Sequence, residues 1–270
     1  MSDFVKKDVQ AQFGRNAESY VISQGHAKGD DLKKLLEIFR GDEEDHVLDV
    51  ATGGGHVANA LAPIVKQVTA LDLTAEILRA AEKFINGNGH VNVSFVQGDA
   101  EAMPFADQSF DMVTCRIAAH HFPRVHQFIH EVMRVLKKGG EFYLIDNVAP
   151  EEEEMDHFYN EVEKRRDYSH QRALKKSEWI KGLELQGFEI YEMYSFKKKF
   201  NYDPWCDRMK LDGERKESLT RFMLNTSAKI KNKFSIEQED NRILSFYGES
   251  VLIRAVKPDD RVKAPTTIEW

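Results

Sequence analysis

A glycine loop and three acids carry the first chemical signal in this chain of 270 residues. Asp49-x-Ala51-x-Gly53-x-Gly55 closes an apolar run, Asp72 ends a second, and Asp99 follows a third. Glycines let the backbone turn sharply and approach a ligand closely. A helix opening near His56, just past Thr52–Gly55, offers unpaired N–H groups and the positive end of its dipole. Read loosely, Gly53-x-Gly55-x-x-Ala58 matches a dinucleotide fingerprint, although a tight turn without a ligand fits it too. Asp72 at a strand end can accept hydrogen bonds from both ribose hydroxyls, which favours an adenosine ligand. Its alternative role is a helix cap, for which Thr74 is better placed.

Imidazoles supply the second signal. "CRIAAHHFPRVHQFIH" carries His120, His121, His126 and His130. His126 and His130 have a metal-compatible helical spacing, but no acid or cysteine completes a ligand set, so no metal site is expected and both read as surface or packing residues. His120 and His121 follow the fourth apolar strand. In doubly wound sheets ligands bind at the carboxyl ends of strands, where strand order reverses. Imidazole titrates near neutrality, so one of this pair can take a proton from a bound acceptor; shaping the loop is the alternative.

Alternating elements must position these groups. "HVLDVA", "QVTALDL", "VNVSFVQG", "SFDMVTC" and "EFYLIDNVA" read as strands. Between them "VANALAPIV", Thr74 to about Ile85, and "VHQFIHEVMRVLKKGG" read as helices. Residues 9 to 40 read as helical, Asp30 capping a second helix there. The alternation implies an α/β fold, a doubly wound, Rossmann-like, mostly parallel sheet with helices on both faces. After Pro150 come two helices, the second capped by Ser177, then a strand over 188 to 200 and polar helices over 203 to 240. "RILSFYGESVLIRAV" reads as an antiparallel hairpin turning at Tyr247–Glu249.

Composition narrows the function classes. Net charge is −7 with a pI near 5.8, against the basic footprint of a dedicated nucleic-acid binder. Two cysteines, Cys115 and Cys206, form no CxxC pair. No apolar run approaches the ~20 residues of a membrane span, and the N-terminus lacks a secretory h-region. A cytoplasmic location is expected.

Taken in order, Asp49-x-Ala51-x-Gly53-x-Gly55, Asp72, "GDAEAMPF", "SFDMV" and "RVLKKGGEF" resemble the class I S-adenosylmethionine-dependent methyltransferases. The similarity is to the type 11 group, which includes ubiquinone/menaquinone C-methyltransferase-like proteins. It is strongest from Val47 to Asn147 and extends weakly to "FGRNAESY" and "SEWIKGLELQGF". The resemblance implies S-adenosyl-L-methionine as cofactor and a seven-stranded sheet with an antiparallel last strand. It implies that Asp49, Thr52, Gly53 and Gly55 border the methionine part, that Asp72 holds the ribose and that Leu73 packs beside the adenine. Asp99 accepts from the adenine amino group beside Ala100, Arg116 offers backbone to the methionine amine, and Tyr20 belongs to the covering helix. The usual first glycine of the loop is Ala51 here, which fits if that residue keeps a negative φ. Quinone C-methyltransferases usually carry Arg-Asn after the fourth strand, whereas this chain has Arg116-Ile117.

The expected organisation is a helical lid over 1-40 including Phe13, a cofactor-binding core over 41-150, an acceptor-side insertion completing the sheet over 151-258, and a tail over 259-270. The expected reaction is transfer of a methyl group to a small-molecule acceptor, with Phe158, Tyr159 and Tyr168 of Met155–His170 walling the pocket. No nucleic-acid partner and no membrane insertion are expected. Three rivals are an RNA-modifying methyltransferase using "EKRRD", "FKKKF" and "KIKNK", a non-catalytic cofactor-binding protein, and an NAD-dependent oxidoreductase.

Overall fold

A computed structural model describes residues 29–259 together with Lys6, Lys7 and Gln10. Phe13 and Tyr20 lie outside the described residues. Among those described, the helices are α1 (Asp30–Ile38), α2 (His56–Leu61), α3 (Ala75–Gly87), α4 (Val125–Val135), α5 (Glu153–Arg166), α6 (Lys176–Leu185), α7 (Tyr202–Asp207), α8 (Gly213–Leu224) and α9 (Ala228–Lys233). The strands are β1 (His46–Val50), β2 (Gln67–Asp72), β3 (Val93–Gln97), β4 (Phe110–Arg116), β5 (Leu136–Val148), β6 (Glu189–Asn201), β7 (Glu237–Glu239) and β8 (Arg242–Val256). They form one sheet in the order β3-β2-β1-β4-β5-β8-β6, with β7 paired to β8. The first five strands are parallel and β8 runs antiparallel to its neighbours. The doubly wound fold expected from the sequence is therefore present.

Strand periodicity divides the core. Along β1, Val47 packs with Leu61 and Ile85 under α2 and α3, while Leu48 and Val50 pack with Phe128 and Trp179 under α4 and α6. A third cluster joins α5, α7, α8 and α9 to the far end of β8 through Phe158, Tyr159, Trp205 and Phe246. Order reverses between β1 and β4, which opens the crevice at their carboxyl ends.

Four local expectations are corrected. "RILSFYGESVLIRAV" is one strand, because Tyr247, Gly248 and Glu249 pair with Lys199, Lys198 and Lys197 of β6. Gly248 serves close approach: a Cβ there would sit 2.8 Å from Phe200 Cε2. Helix α4 stops at Val135, since Leu136 is already paired with Phe110 in the β4–β5 ladder. Lys175, not Ser177, is the N-cap of α6, its N–H donating to the Glu178 carboxylate. Gly29, not Asp30, precedes the first residue of α1.

Candidate active site

Three left-handed residues in five turn β1 into α2: Ala51 (φ 53°), Gly53 (φ 55°) and Gly55 (φ 79°). At Gly55 a Cβ would lie 2.8 Å from Ile85 Cδ1 and 3.1 Å from Ala81 Cβ, so only glycine lets α2 close on α3. Ala51 corrects the expectation of a negative φ there. Alanine in this region is strained by about 1 kcal/mol, and the loop's hydrogen bonds hold it. Thr52 N–H donates to Leu71 O (3.0 Å) and Gly53 N–H to Asp72 Oδ2 (3.1 Å).

Both acids of the turn are buried. Asp49 accepts from Thr52 Oγ1 (2.7 Å) and Thr114 Oγ1 (2.8 Å). Burial pushes its pKa up to about 6, against the pull of those hydroxyls. Burial also raises Asp72, whose Oδ1 accepts from Thr74 N–H (2.9 Å). Asp72 thus satisfies the start of α3, while the Thr74 side chain makes no cap. A carboxylate has about four acceptor positions. Those beyond the two backbone bonds leave capacity for ribose hydroxyls.

Two small chambers flank this turn. One, of about 60 Å³, is lined by Asp49, Ala51, Thr52, Gly54, Arg116 and Ile117, among others. The other, of about 100 Å³, is lined by Asp72, Leu73, Asp99 and Ala100 and by Ile117, Ala118, His121, Phe122 and Pro123, among others. Their polar groups fit an amino acid group and an adenosine respectively. Lys6 Nζ reaches Asp99 Oδ2 (2.5 Å) and Glu101 Oε2 (2.7 Å), and Gln10 Nε2 donates to Leu73 O (3.0 Å).

A larger cavity of about 800 Å³ opens beyond the ends of β4 and β5. Ile117 lines all three spaces, and Arg116 lines both this cavity and the smallest chamber. Ile117 has φ 54°, a genuine outlier for a β-branched residue and a conformation that asparagine tolerates better. Arg116 ends β4, and its guanidinium forks onto Asp31, Nε to Oδ2 at 3.1 Å and Nη2 to Oδ1 at 3.0 Å.

His120 and His121 both line the large cavity, in a 3-10 turn over Ala119–His121. His120 is gripped by Asp146 of β5, whose Oδ2 accepts its backbone N–H (2.8 Å) and whose Oδ1 lies 2.6 Å from Nδ1. Burial alone would lower His120, but the Asp146 carboxylate, with Glu163 and Asp167 nearby, outweighs it and the pKa is raised. With Nδ1–H donating to Asp146, the neutral ring carries its lone pair on Nε2. His121 differs. Burial and the charge of His120, 4.3 Å away between rings, push it down to about 4. Its Nδ1 lies 3.3 Å from Ser169 Oγ. His170 completes the cluster, Nε2 3.0 Å from Asn160 Oδ1, and is lowered by burial and by both neighbouring histidines. The exposed His126 and His130 stay apart from this group.

Of the walls expected from α5, Phe158 and Tyr159 are buried in the third core. None of Phe158, Tyr159 and Tyr168 lines the cavity; α5 and the loop after it contribute Glu163, Arg166, Asp167 and His170 instead. Sequence reading also missed Asp146, whose signal was a carboxylate inside the apolar run "YLIDNV". Asp31 and Lys198, on α1 and β6, carried no local signal.

The methyltransferase-domain family matches residues 48–144. The methyltransferase YcgJ of Bacillus subtilis (strain 168), itself uncharacterized, is 34% identical over 92% of this chain and 98% of its own. The solved structure of BH2331, a candidate methyltransferase of Bacillus halodurans C-125, superposes with TM-score 0.84 at 55% identity, covering 86% of this chain and 100% of its own. Demethylmenaquinone methyltransferase of Chlorobaculum parvum is 39% identical over 47% of this chain and 51% of its own.

Proposed function

The chain belongs to the type 11 group of S-adenosylmethionine-dependent methyltransferases, and on that premise we propose that it methylates a small-molecule acceptor in the 800 Å³ cavity with His120 as general base. The observation that carries this reading is the junction at Arg116–Ile117, where the acceptor cavity meets both cofactor chambers within one loop of the His120–Asp146 pair. S-adenosylmethionine supplies an activated methyl group on a sulfonium, so the protein's work is alignment, exclusion of water and handling of one proton. Asp72 and Asp99 would hold the adenosine, and the Asp49 loop and Arg116 backbone the methionine part. The acceptor's proton goes to His120 Nε2, while Nδ1–H stays on Asp146 and fixes the ring. His121, held neutral by its lowered pKa, adds no competing charge beside that ring.

A volume of about 800 Å³ suits a small molecule. Relatives named demethylmenaquinone methyltransferases also favour a small acceptor, while the Arg116-Ile117 pair separates this chain from the quinone pattern. Several cations of the basic runs offered for RNA are paired with acids: Arg165 with Glu161 (2.8 Å), Arg166 with Glu163 (3.0 Å) and Lys199 with Glu237 (3.1 Å). The contacts of Lys6 and Gln10 with Asp99 and Leu73 support residues 1-40 as a cover on the 41-150 core, with 151-258 building the acceptor side. The two buried thiols, Cys115 and Cys206, suit a reducing cytoplasm. No helix among the described residues is long and apolar enough to cross a membrane.

The test is release of S-adenosylhomocysteine with fractionated cell extract, using methyl-labelled cofactor. Label is expected in the small-molecule fraction; label confined to RNA or protein would overturn the acceptor assignment. With the acceptor in hand, His120→Ala should lower kcat by about 100-fold or more and leave cofactor affinity intact. Unchanged turnover removes the general base.

A further inference from the structure

Strand β6 ends the sheet with 13 residues, against 5 in β3 at the opposite edge. Strands typically have about five to six. Among the described residues the backbone groups of β6 bond to β8 alone, so the N–H and C=O groups that point away from β8 are open along its length. A long open edge is a template for another strand. Tyr191 and Met193 on it are 60% and 43% exposed.

Charge along β6 is divided. "EIYEMYSFKKKFN" carries Glu189 and Glu192 in its first half and Lys197, Lys198 and Lys199 in its second. Other parts of the chain compensate these only in part. Glu192 meets Arg254 (3.1 Å) and Arg40 (3.3 Å), Lys198 meets Asp31 (3.5 Å) and Lys199 meets Glu237 (3.1 Å). Glu189 and Lys197, both exposed, form no ion pair among the described residues. Lysines alone would blunt an edge. A strand acidic at one end and basic at the other complements a reversed copy of itself. The consecutive residues Ser195–Asn201 all line the 800 Å³ cavity. Alternate residues point to opposite faces, so the cavity reaches β6 along its open edge.

We propose that β6 pairs antiparallel with β6 of a second copy of this chain, in a two-fold dimer whose continuous sheet walls the open side of each cavity. With Ser195 on the axis, Glu192 lies opposite the partner's Lys198, and Tyr194 opposite the partner's Phe196. Opposite charges and aromatic pairs facing one another stabilise such a ladder. Parallel pairing would set lysine against lysine. Dimerisation is independent of the acceptor's chemistry.

Sedimentation of the full chain over about 1–100 μM should show a species of about 62 kDa, twice the 31.1 kDa chain. Lys197→Glu with Lys199→Glu makes both halves acidic and should weaken self-association about tenfold or more. Glu189→Lys with Tyr191→Lys makes both halves basic and should do the same. Mixed, the two variants should form a heterodimer. A monomer at every concentration, a dimer that persists in either variant, or a mixture that stays monomeric overturns the proposal. Hydrogen exchange of the wild type needs no variant to fold. Protection of Glu189–Asn201 should rise with protein concentration, and protection that does not change overturns the pairing.

Discussion

The cofactor side and the acceptor side meet at Ile117 but are built differently. On the cofactor side, Asp49, Asp72 and Asp99 sit at or just beyond successive strands, and Asp49 and Asp72 are held by their own turns and by the adjacent strand end or loop. On the acceptor side, β4, β5, β6 and the α5–α6 loop all contribute residues, and the groups tune one another across the fold. Asp146 of β5 raises His120, and His120 in turn helps lower His121 and His170. The first arrangement is built at the ends of adjacent parallel strands; the second depends on packing between more distant segments. Substitutions on the two sides should therefore separate binding from turnover.

Asp72→Ala should have the largest effect among the tests of that contrast. It removes ribose acceptors and loosens the Gly53 turn, and hydrogen bonds to charged groups contribute about 1.5–3 kcal/mol each. S-adenosylmethionine affinity by calorimetry should fall about 100-fold; a change below threefold would break the distinction.

Asp146→Asn should instead lower kcat by about tenfold and leave cofactor affinity unchanged. In the wild type the base form of His120 grows as pH rises through its raised pKa, so turnover climbs across that window. Removing the carboxylate should move that limb to lower pH. A pH profile that stays in place would show that Asp146 only packs the loop.

Asp49→Asn tests stability against function on the cofactor side. The folded pKa of Asp49, about 6, lies above its ordinary 3.8. The protein therefore loses stability as pH rises through that window and the buried carboxyl ionises. The variant should gain ~1–2 kcal/mol over the wild type at pH 8 and little at pH 4, while cofactor binding weakens. Thermal melts at both pH values check the sign.

Ile117→Asn should give a smaller effect, a gain of about 1 kcal/mol from relief of the left-handed strain. Ala51→Gly should gain less, because glycine also loses more chain entropy on folding. Destabilisation by Ile117→Asn would mean that the side chain's packing outweighs its backbone strain.

Much of this was legible in the primary structure because it is local. The strand–glycine loop–helix unit, the acids at strand ends and the placement of His120 and His121 follow from periodicity and spacing of two and 3.6 residues. Errors arose where local signals compete with ladders formed at a distance. Tyr247–Glu249 looks like a turn, yet strand β6 lies beside it and Gly248 is needed for contact with Phe200. Likewise Lys137 and Lys138 resemble a helix terminus, yet Leu136 is already paired to β4.

The succession of strands and helices along the chain, the cofactor loop and the family were thus determined by the sequence itself. Only tertiary structure decided which carboxylate orients which imidazole, that Ala51 and Ile117 are strained, and that Asp31, Arg116 and Lys198 share one wall. These contacts join residues 26, 85 and 167 positions apart, for His120–Asp146, Asp31–Arg116 and Asp31–Lys198 respectively. No spacing rule reaches that far, because such pairings follow from sheet order and helix docking, not from the period of one element.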